Sequence, residues 1–184
     1  MAQESELEKE MRDYYREQGQ NHGIEHLDRT LKIGDYIAEK EGGDQEIVRW
    51  GSMLHRLHDP EKAEKLLKEH GFGAEKIERI VHCVRCSDID KVDKAETIEA
   101  KTVYDADKLQ VVGPFGLIRE IACDTGERGK RFREALQDSR EIEKRCFSTL
   151  QTETGKKIEE IHHGMMEELW DRFDAMDEAR FDHE

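Results

Sequence analysis

Proline is scarce in this sequence, with two residues among 184, so long stretches of the chain are free to be helical. No run of about 18 apolar residues occurs, which excludes an ordinary transmembrane helix. The first ten residues are half charged and contain no apolar segment, so we expect no secretory signal. Because 184 residues lie within the usual range for one domain, these absences favour a single-domain cytoplasmic protein.

Positive charge is also in short supply. Lysine and arginine together number 30, against 44 aspartates and glutamates, which gives a formal net charge of −14. Proteins that bind nucleic acid non-specifically do so by placing cations against phosphates, and anionic membrane surfaces attract basic segments in the same way. The charge balance therefore argues against both nucleic acid and a membrane as partners.

Cysteine occurs four times, and only Cys83 and Cys86 are close in sequence. A structural zinc site would need a second pair at similar spacing, and Cys123 and Cys146 are far apart. A redox motif of the thioredoxin type would need strands around it, and no strand pattern is present. The sequence therefore predicts ordinary reduced thiols, which pack as small apolar side chains.

Apolar residues recur with helical spacing through most of the chain, and no segment keeps the period of two that is typical of strands. The prediction is an all-α protein. An apolar stripe within residues 165–176 is typical of core packing or of a homodimer interface. The predicted helices cover residues 4–18, 22–40, 74–86, 97–112, 115–122, 134–150 and 152–179, and two further helices begin after the N-caps Asp44 and Asp59.

Three polar clusters interrupt this pattern. His22 and His26 are four residues apart, so they would share one face of a helix. Residues 55–59 (HRLHD) follow an apolar run, and Asp105 and Asp107 stand among apolar neighbours. Histidine together with carboxylate favours a divalent ion such as Mn, Fe or Zn over a thiolate site. Each cluster alone is also typical of a solvated helix end.

In this order, the clusters resemble the motifs of the HD superfamily of metal-dependent phosphohydrolases, and in particular its small members. The similarity is carried by residues 21–29 (NHGIEHLDR), 53–59 (MLHRLHD), 99–109 (EAKTVYDADKL) and 152–157 (TETGKK), and it runs from about residue 20 to 175. The resemblance implies one helical HD-domain bundle spanning 1–184. An N-terminal helix would cover about 4–18, the motif region about 20–125, and the C-terminal helices about 134–179.

The resemblance also implies a site. His26, His55 and Asp107 match the family's metal ligands, and we expect them to converge from three different helices. The expected cofactor is a divalent metal (Mn, Fe, Mg or Zn). The expected substrate is a small phosphorylated molecule such as a nucleotide, which would be hydrolysed at a phosphoester or phosphoanhydride bond.

Six flanking residues have a functional and a structural interpretation. Asp59 would orient or deprotonate the attacking water, or it is the N-cap of the helix that begins at Pro60. His58 would contact phosphate, or it is a plain surface histidine. Lys108 would offset substrate charge, or it is a solvated lysine.

The same choice applies to the residues expected to bind substrate. His22 would contact phosphate oxygens, or it lies on the surface without a role. Arg29 and Arg119 match family arginines, and salt bridges within the helical bundle would explain both of them equally well.

Position 56 departs from the family pattern, because Arg56 replaces the aspartate that follows the metal-binding histidine. Gly23 replaces another frequent aspartate, and a histidine usual near Cys86 is missing. Either Arg56 turns outward and leaves a weaker metal site, or it pairs with Asp105 or Asp107 and takes the metal's place. The chain is then a weakened phosphohydrolase, or an inactive HD domain that binds a nucleotide or a protein as a regulator.

Overall fold

Nine α-helices make up most of the structure, a computed structural model that describes residues 2–19 and 21–180. These residues form no strand, and the predicted all-α class is confirmed. Met1, Gln20 and residues 181–184, which fall within the expected span of 1–184, lie outside the described residues. The helices are α1 (Ala2–Arg16), α2 (Ile24–Glu41), α3 (Gln45–Leu54), α4 (Pro60–Glu69), α5 (Ala74–Arg85), α6 (Ile98–Lys108), α7 (Gly113–Gly126), α8 (Phe132–Thr149) and α9 (Glu153–Asp177).

Several helices begin where the sequence places a capping side chain. The Asp44 carboxylate accepts hydrogen bonds from the first backbone N–H groups of α3, and Asp59 does the same for α4, with Pro60 in the first turn. Thr97 and Thr152 cap α6 and α9 in the same manner. These side chains satisfy backbone donors that a helix start leaves without partners.

The main core lies where α2 packs against α3 and α6, and α5 covers the other side of α3. Close approach is possible because α3 carries Gly51. A Cβ atom at that position would lie 2.8 Å from Cβ of Cys83 and 2.9 Å from Cγ2 of Val103. This contact sets how closely α3 packs against α5 and α6. It thereby also positions the residues that follow the last turn of α3.

A smaller apolar cluster joins the C-terminal helices. Met166 and Trp170 of α9 pack against Leu136 of α8, whereas Met165 and Met176 are largely exposed. The apolar stripe of α9 is therefore used in part for packing within the chain. None of the described helices combines the length and the apolar content that crossing a bilayer demands.

The sequence-based boundary of α2 is wrong by two residues, with a consequence for the histidines. Gly23 is extended (φ −83°, ψ −155°), and α2 begins at Ile24. His22 therefore lies in the turn before the helix and not on one helical face with His26. A single 3-10 turn, His55–Leu57, also separates α3 from α4, where the sequence gives no distinct signal.

Candidate metal centre

Three separate helical segments bring His26, His55 and Asp107 together. His26 lies in the first turn of α2, His55 directly follows α3, and Asp107 lies in the last turn of α6. Nε2 of His26 is 3.3 Å from Oδ1 of Asp107, Nε2 of His55 is 3.5 Å from the same oxygen, and the two Nε2 atoms are 3.4 Å apart. Both imidazoles are buried, and the carboxylate is mostly covered.

The hydrogen bonds on the far side of each ring fix where the protons lie. Nδ1 of His55 is 2.7 Å from the backbone oxygen of Ser52, which can only accept, so Nδ1 carries a proton. Nδ1 of His26 is 3.1 Å from Oε1 of Gln110. The Gln110 amide is oriented because its Nε2 donates to the backbone oxygen of Ala106. In the neutral rings, both Nε2 atoms therefore present lone pairs to the centre.

Three acceptors thus face one another with no donor between them. Such a group is repulsive unless a proton or a cation lies among the three atoms. Bonds of about 2.0–2.2 Å in a tetrahedral shell place neighbouring N and O ligands about 3.3–3.6 Å apart, and the observed separations of 3.3, 3.4 and 3.5 Å agree. Two imidazoles and one carboxylate are a donor set that suits zinc or iron(II) and leaves positions open.

Asp107 is ionised in this environment. Burial raises the pKa of its carboxyl group, but the charge of Lys108 and the contacts with His26 and His55 outweigh burial and hold the pKa well below its usual range. Nζ of Lys108 lies 2.6 Å from Oδ2. For His26, burial, with the charges of His55 and Arg119, lowers the pKa despite the opposing effect of Asp107, so the ring is neutral at neutral pH.

Arg56 does not enter this centre as an ion-pair partner. The 3-10 turn directs His55 inward, and the half-buried Arg56 forms no ion pair with any carboxylate of residues 6–19 and 21–180, whose side chains the structure describes. Its backbone oxygen accepts a hydrogen bond from the Tyr14 hydroxyl group at 3.3 Å. The pairing with Asp105 or Asp107 that the sequence allowed is therefore not formed.

Asp105 is instead committed to the start of α9. Its carboxylate accepts hydrogen bonds from the backbone N–H of Gln151 at 2.9 Å, and from the backbone N–H and the hydroxyl group of Thr152 at 2.7 and 2.6 Å. Asp105 and Asp107 therefore have separate roles, because residues two positions apart on a helix point to nearly opposite sides of it.

Comparisons with known proteins support this architecture. No family model matches the chain. Over 117 residues, the chain is 31% identical to the uncharacterized protein YpgQ of Bacillus subtilis strain 168, and the alignment covers 56% of this chain and 57% of YpgQ. The chain thus aligns with just over half the length of this relative.

Solved structures agree over nearly the whole chain. The crystal structure of Bacillus subtilis YpgQ in complex with ADP has a TM-score of 0.73 at 24% identity, covering 92% of this chain and 96% of that one. The crystal structure of an HD-superfamily hydrolase from Bacillus thuringiensis has a TM-score of 0.73 at 22% identity, covering 97% of this chain and 100% of that one. This chain shares the fold of these two solved structures. At these identities the likeness establishes the fold alone.

Within this shared fold, His22 lies beside the centre. Its ring centroid is 6.0 Å from that of His26, even though the two residues do not share a helix. Burial, followed by the charges of Arg56 and Arg119, lowers the pKa of His22 to about 4. The imidazole is therefore neutral at neutral pH, and it can donate one N–H or offer one lone pair.

The two arginines predicted to bind substrate both make contacts within the protein. Arg119 is buried, and its guanidinium donates to the backbone oxygens of Asn21 and Gln110 and to the carboxylate of Glu120. Arg29 is half-buried, donates to Oε1 of Gln110 at 3.1 Å, and lies over the ring of Phe115. Both arginines therefore brace Gln110, which in turn holds His26.

Asp59 and His58 lie at the exposed exit of the 3-10 turn. Oδ1 of Asp59 accepts the two backbone hydrogen bonds that cap α4, each 3.0 Å long. His58 adopts a left-handed backbone conformation (φ 51°), and its Nδ1 is 3.2 Å from Oδ1 of Asp88. Burial and the charge of Arg56 lower the pKa of His58. The capping interpretation of Asp59 is thus realised in the structure.

Gln110 is the residue at this centre that sequence reasoning missed. It fixes the His26 tautomer and receives contacts from Arg29 and Arg119. A signal was present, because position 110 is three residues after Asp107 and such residues share one side of a helical segment.

Proposed function

We propose that this protein is a metal-dependent phosphohydrolase that acts on a nucleotide or another small phosphate ester, and that Arg56 weakens its activity. The observation that carries the proposal is the arrangement of His26, His55 and Asp107. Their three acceptor atoms lie 3.3–3.5 Å apart with no donor among them. A divalent cation satisfies all three at once.

His26, His55 and Asp107 would hold the ion. When bound, a divalent ion supplies Lewis acidity to a phosphoryl oxygen and to water. Gln110 and Ser52, which accept the outer protons of the two imidazoles, would form the second coordination layer. Such partners fix ring orientation and raise ligand basicity.

The net charge of the proposed metal site explains why we expect weak activity. Two neutral imidazoles and one carboxylate leave a divalent site with a net charge of about +1, whereas a second carboxylate would bring it near neutral. Lys108, 2.6 Å from Asp107, adds a further positive charge, and Arg56 places another nearby. This surplus favours an anionic substrate and disfavours retention of the cation.

We assign roles to the remaining residues from the polar atoms that their contacts within the protein do not use. Lys108 would offset phosphate charge from beside Asp107. The neutral ring of His22 would donate to a phosphate oxygen, and His58 at the exposed rim would do the same. Asp59 would orient water with Oδ2, the oxygen that the cap does not use. Arg29 and Arg119 act as positioning residues through Gln110.

A nucleotide is the favoured substrate class. The related YpgQ has been crystallised in complex with ADP, and the fold is shared over 92% of this chain. A nucleoside di- or triphosphate carries the anionic groups that a centre with surplus positive charge would attract.

The replacement at position 56 is also compatible with a second candidate function. The loss of a carboxylate at Arg56 and the use of Asp59 as a helix cap also suit an inactive HD domain that binds a nucleotide, or a protein, as a regulator. This alternative differs from the first in turnover and not in binding.

The test compares wild type with Arg56→Asp and Arg56→Ala. Metal content is measured by mass spectrometry, and phosphate release is measured over a panel of nucleotides in a manganese-containing buffer. We expect Arg56→Ala to raise metal content by removing charge, and Arg56→Asp to raise it further by adding a ligand, with an increase in turnover. Arg85→Asp, on the exposed face of α5, is the control for the same charge change elsewhere.

The outcomes separate the two functions. If all three proteins bind a nucleotide and none releases phosphate, the phosphohydrolase function is excluded and the regulatory function is supported. If wild type holds a stoichiometric ion and turns over substrate while Arg56→Asp alters neither, then Arg56 does not attenuate the site. His55→Gln should abolish both the bound manganese and turnover, and retention of both would exclude the centre itself.

A further inference from the structure

A second group of potential ligands lies outside the centre described above. His22 stands in the turn before α2, Cys123 lies in the last turn of α7, and Glu127 directly follows that helix. One ligand atom from each lies within 4.8 Å of the other two. Cys123 is buried, whereas Glu127 is partly exposed, so solvent reaches the group through its carboxylate.

The distances within this group suit a metal shell. Nδ1 of His22 is 3.8 Å from Oε2 of Glu127, which is beyond hydrogen-bonding range, and Sγ of Cys123 is 3.6 Å from the same oxygen. In a tetrahedral zinc shell with bonds of about 2.0 Å to N and O and 2.3 Å to S, these pairs would be separated by about 3.3–3.6 Å. The separation of Sγ and Oε2 already lies at the upper end of that range, and a small movement of the His22 ring brings Nδ1 to the same separation from Oε2.

The Glu127 carboxylate is held in place by the turn that carries His22. Its Oε1 accepts hydrogen bonds from the backbone N–H and the side-chain amide of Asn21, both 3.0 Å long. Gly19 allows the carboxylate to lie there, because a Cβ atom at that position would be 2.7 Å from Oε1. Oε2 is thereby directed toward Cys123 and His22.

We propose that His22, Cys123 and Glu127 form a second metal site that takes a thiophilic divalent ion, zinc, with water in the fourth position. Three protein ligands and one open position are typical of zinc sites that keep a water. On binding, the Cys123 thiol forms a bond from sulfur to the ion and gives its proton to solvent, and the thiolate and carboxylate together neutralise the charge of the ion. The proposal does not depend on the phosphohydrolase function.

The thiolate gives this second site a different preference from the first. Thiolate ligands select zinc, and manganese and magnesium prefer oxygen ligands. The His22 and His26 rings are 6.0 Å apart, so the two sites would be neighbours with distinct metals. The competing explanation is a hydrogen-bonded network in which the Cys123 thiol donates to Glu127 and no ion binds.

Cobalt(II) distinguishes these explanations, because a thiolate bound to cobalt absorbs strongly in the near ultraviolet and nitrogen or oxygen ligands do not. The full-length protein is reduced, stripped of metal with a chelator and titrated with cobalt(II). We expect one thiolate band per chain in wild type, its loss in Cys123→Ser, and at least tenfold weaker binding in His22→Asn. Addition of zinc should then displace cobalt and abolish the band.

Two control variants test whether the thiolate band arises from another cysteine or from the first centre. Cys146→Ser removes another buried thiol and should keep the band, and His55→Gln disables the first centre and should also keep it. Absence of the band in wild type, or its persistence in Cys123→Ser, would overturn the proposal. A band that is lost in Cys146→Ser and kept in Cys123→Ser would also overturn the proposal, because Cys146 would then be the ligand. Circular dichroism of each variant excludes loss of fold, and His22→Asn offers a test that leaves the buried thiol intact.

Discussion

Lys108 Nζ lies 2.6 Å from Oδ2 of Asp107, the residue directly before it on α6. The ammonium group also lies 5.3 Å from the centroid of the Tyr104 ring, which helps to keep it at this position. Because Oδ2 is engaged, Oδ1 is the oxygen that faces His26 and His55. Lys108 thus orients the carboxylate and at the same time places a positive charge beside a centre that we propose to hold a cation.

Replacement of this lysine should strengthen metal binding. In Lys108→Met, a side chain of similar length without charge removes the repulsion, and we expect manganese affinity to rise on the order of tenfold at low ionic strength. Calorimetric titration of metal-free protein measures the change. Lys101→Met, on the same helix, is the control. A lower affinity in Lys108→Met would mean that orientation of Asp107 outweighs repulsion.

Loss of the Gln110 amide should weaken metal binding. Gln110→Leu keeps the volume but leaves Nδ1 of His26 without its acceptor, so the ring loses its fixed tautomer and orientation. Substitution of such a partner lowers metal affinity by about 10–100-fold. The same titration measures the effect, and Gln137→Leu on the exposed face of α8 serves as the control. Unchanged affinity in Gln110→Leu would show that His26 is held by packing alone.

Asp105 should contribute strongly to stability. Its buried carboxylate accepts three hydrogen bonds from Gln151 and Thr152 and fixes the start of α9. Asp105→Ala leaves buried donors without partners, and we expect it to lower the free energy of unfolding by about 3 kcal/mol. Urea denaturation measures the loss. Thr152→Ser retains the hydroxyl group and should cost less than about 1 kcal/mol, so equal losses in the two variants would contradict this account.

His22 should make stability depend on pH. Burial and nearby arginines lower its pKa from 6.5 to about 4 in the folded protein. Between these values the unfolded chain binds more protons, so the contribution of His22 is present above pH 6.5 and is lost as the pH falls toward 4. After allowance for partial exposure, we expect about 1–2 kcal/mol.

Urea denaturation at several pH values, with a chelator present to exclude metal effects, measures this dependence. His22→Gln should flatten the curve in part, because the lowered pKa values of His26 and His58 act in the same direction. An unaltered slope in His22→Gln would show that His22 protonates freely in the folded protein.

Much of the fold could be predicted from the sequence, because helices leave local signals. Caps at Asp44 and Asp59 and the helical recurrence of apolar residues locate most helices. For the partners at the centre the signal is weaker, because the spacing of three residues from Asp107 places Gln110 on the side of the centre but does not predict which histidine it contacts. Gln110 contacts His26 across 84 positions of the chain, and no spacing rule connects residues that far apart.

The direction of Arg56 also required the structure. In a 3-10 turn, successive side chains diverge by about 120°, so the direction of position 56 follows from that of His55. Had α3 simply continued as an α-helix, the divergence would be about 100° and the neighbouring contacts would differ. The sequence contains no distinct signal for the 3-10 turn, and so both orientations of Arg56 were compatible with it.

The three ligands of the proposed centre lie on segments of the chain that are far apart, at positions 26, 55 and 107. During synthesis, the third of them leaves the ribosome well after the first two, and helix α6 must then pack against α2 before the centre exists. A bound ion would act as a clamp between three helices that only the finished fold brings together. Metal capture would therefore follow folding, and the ion would slow the opening of α6 away from α2.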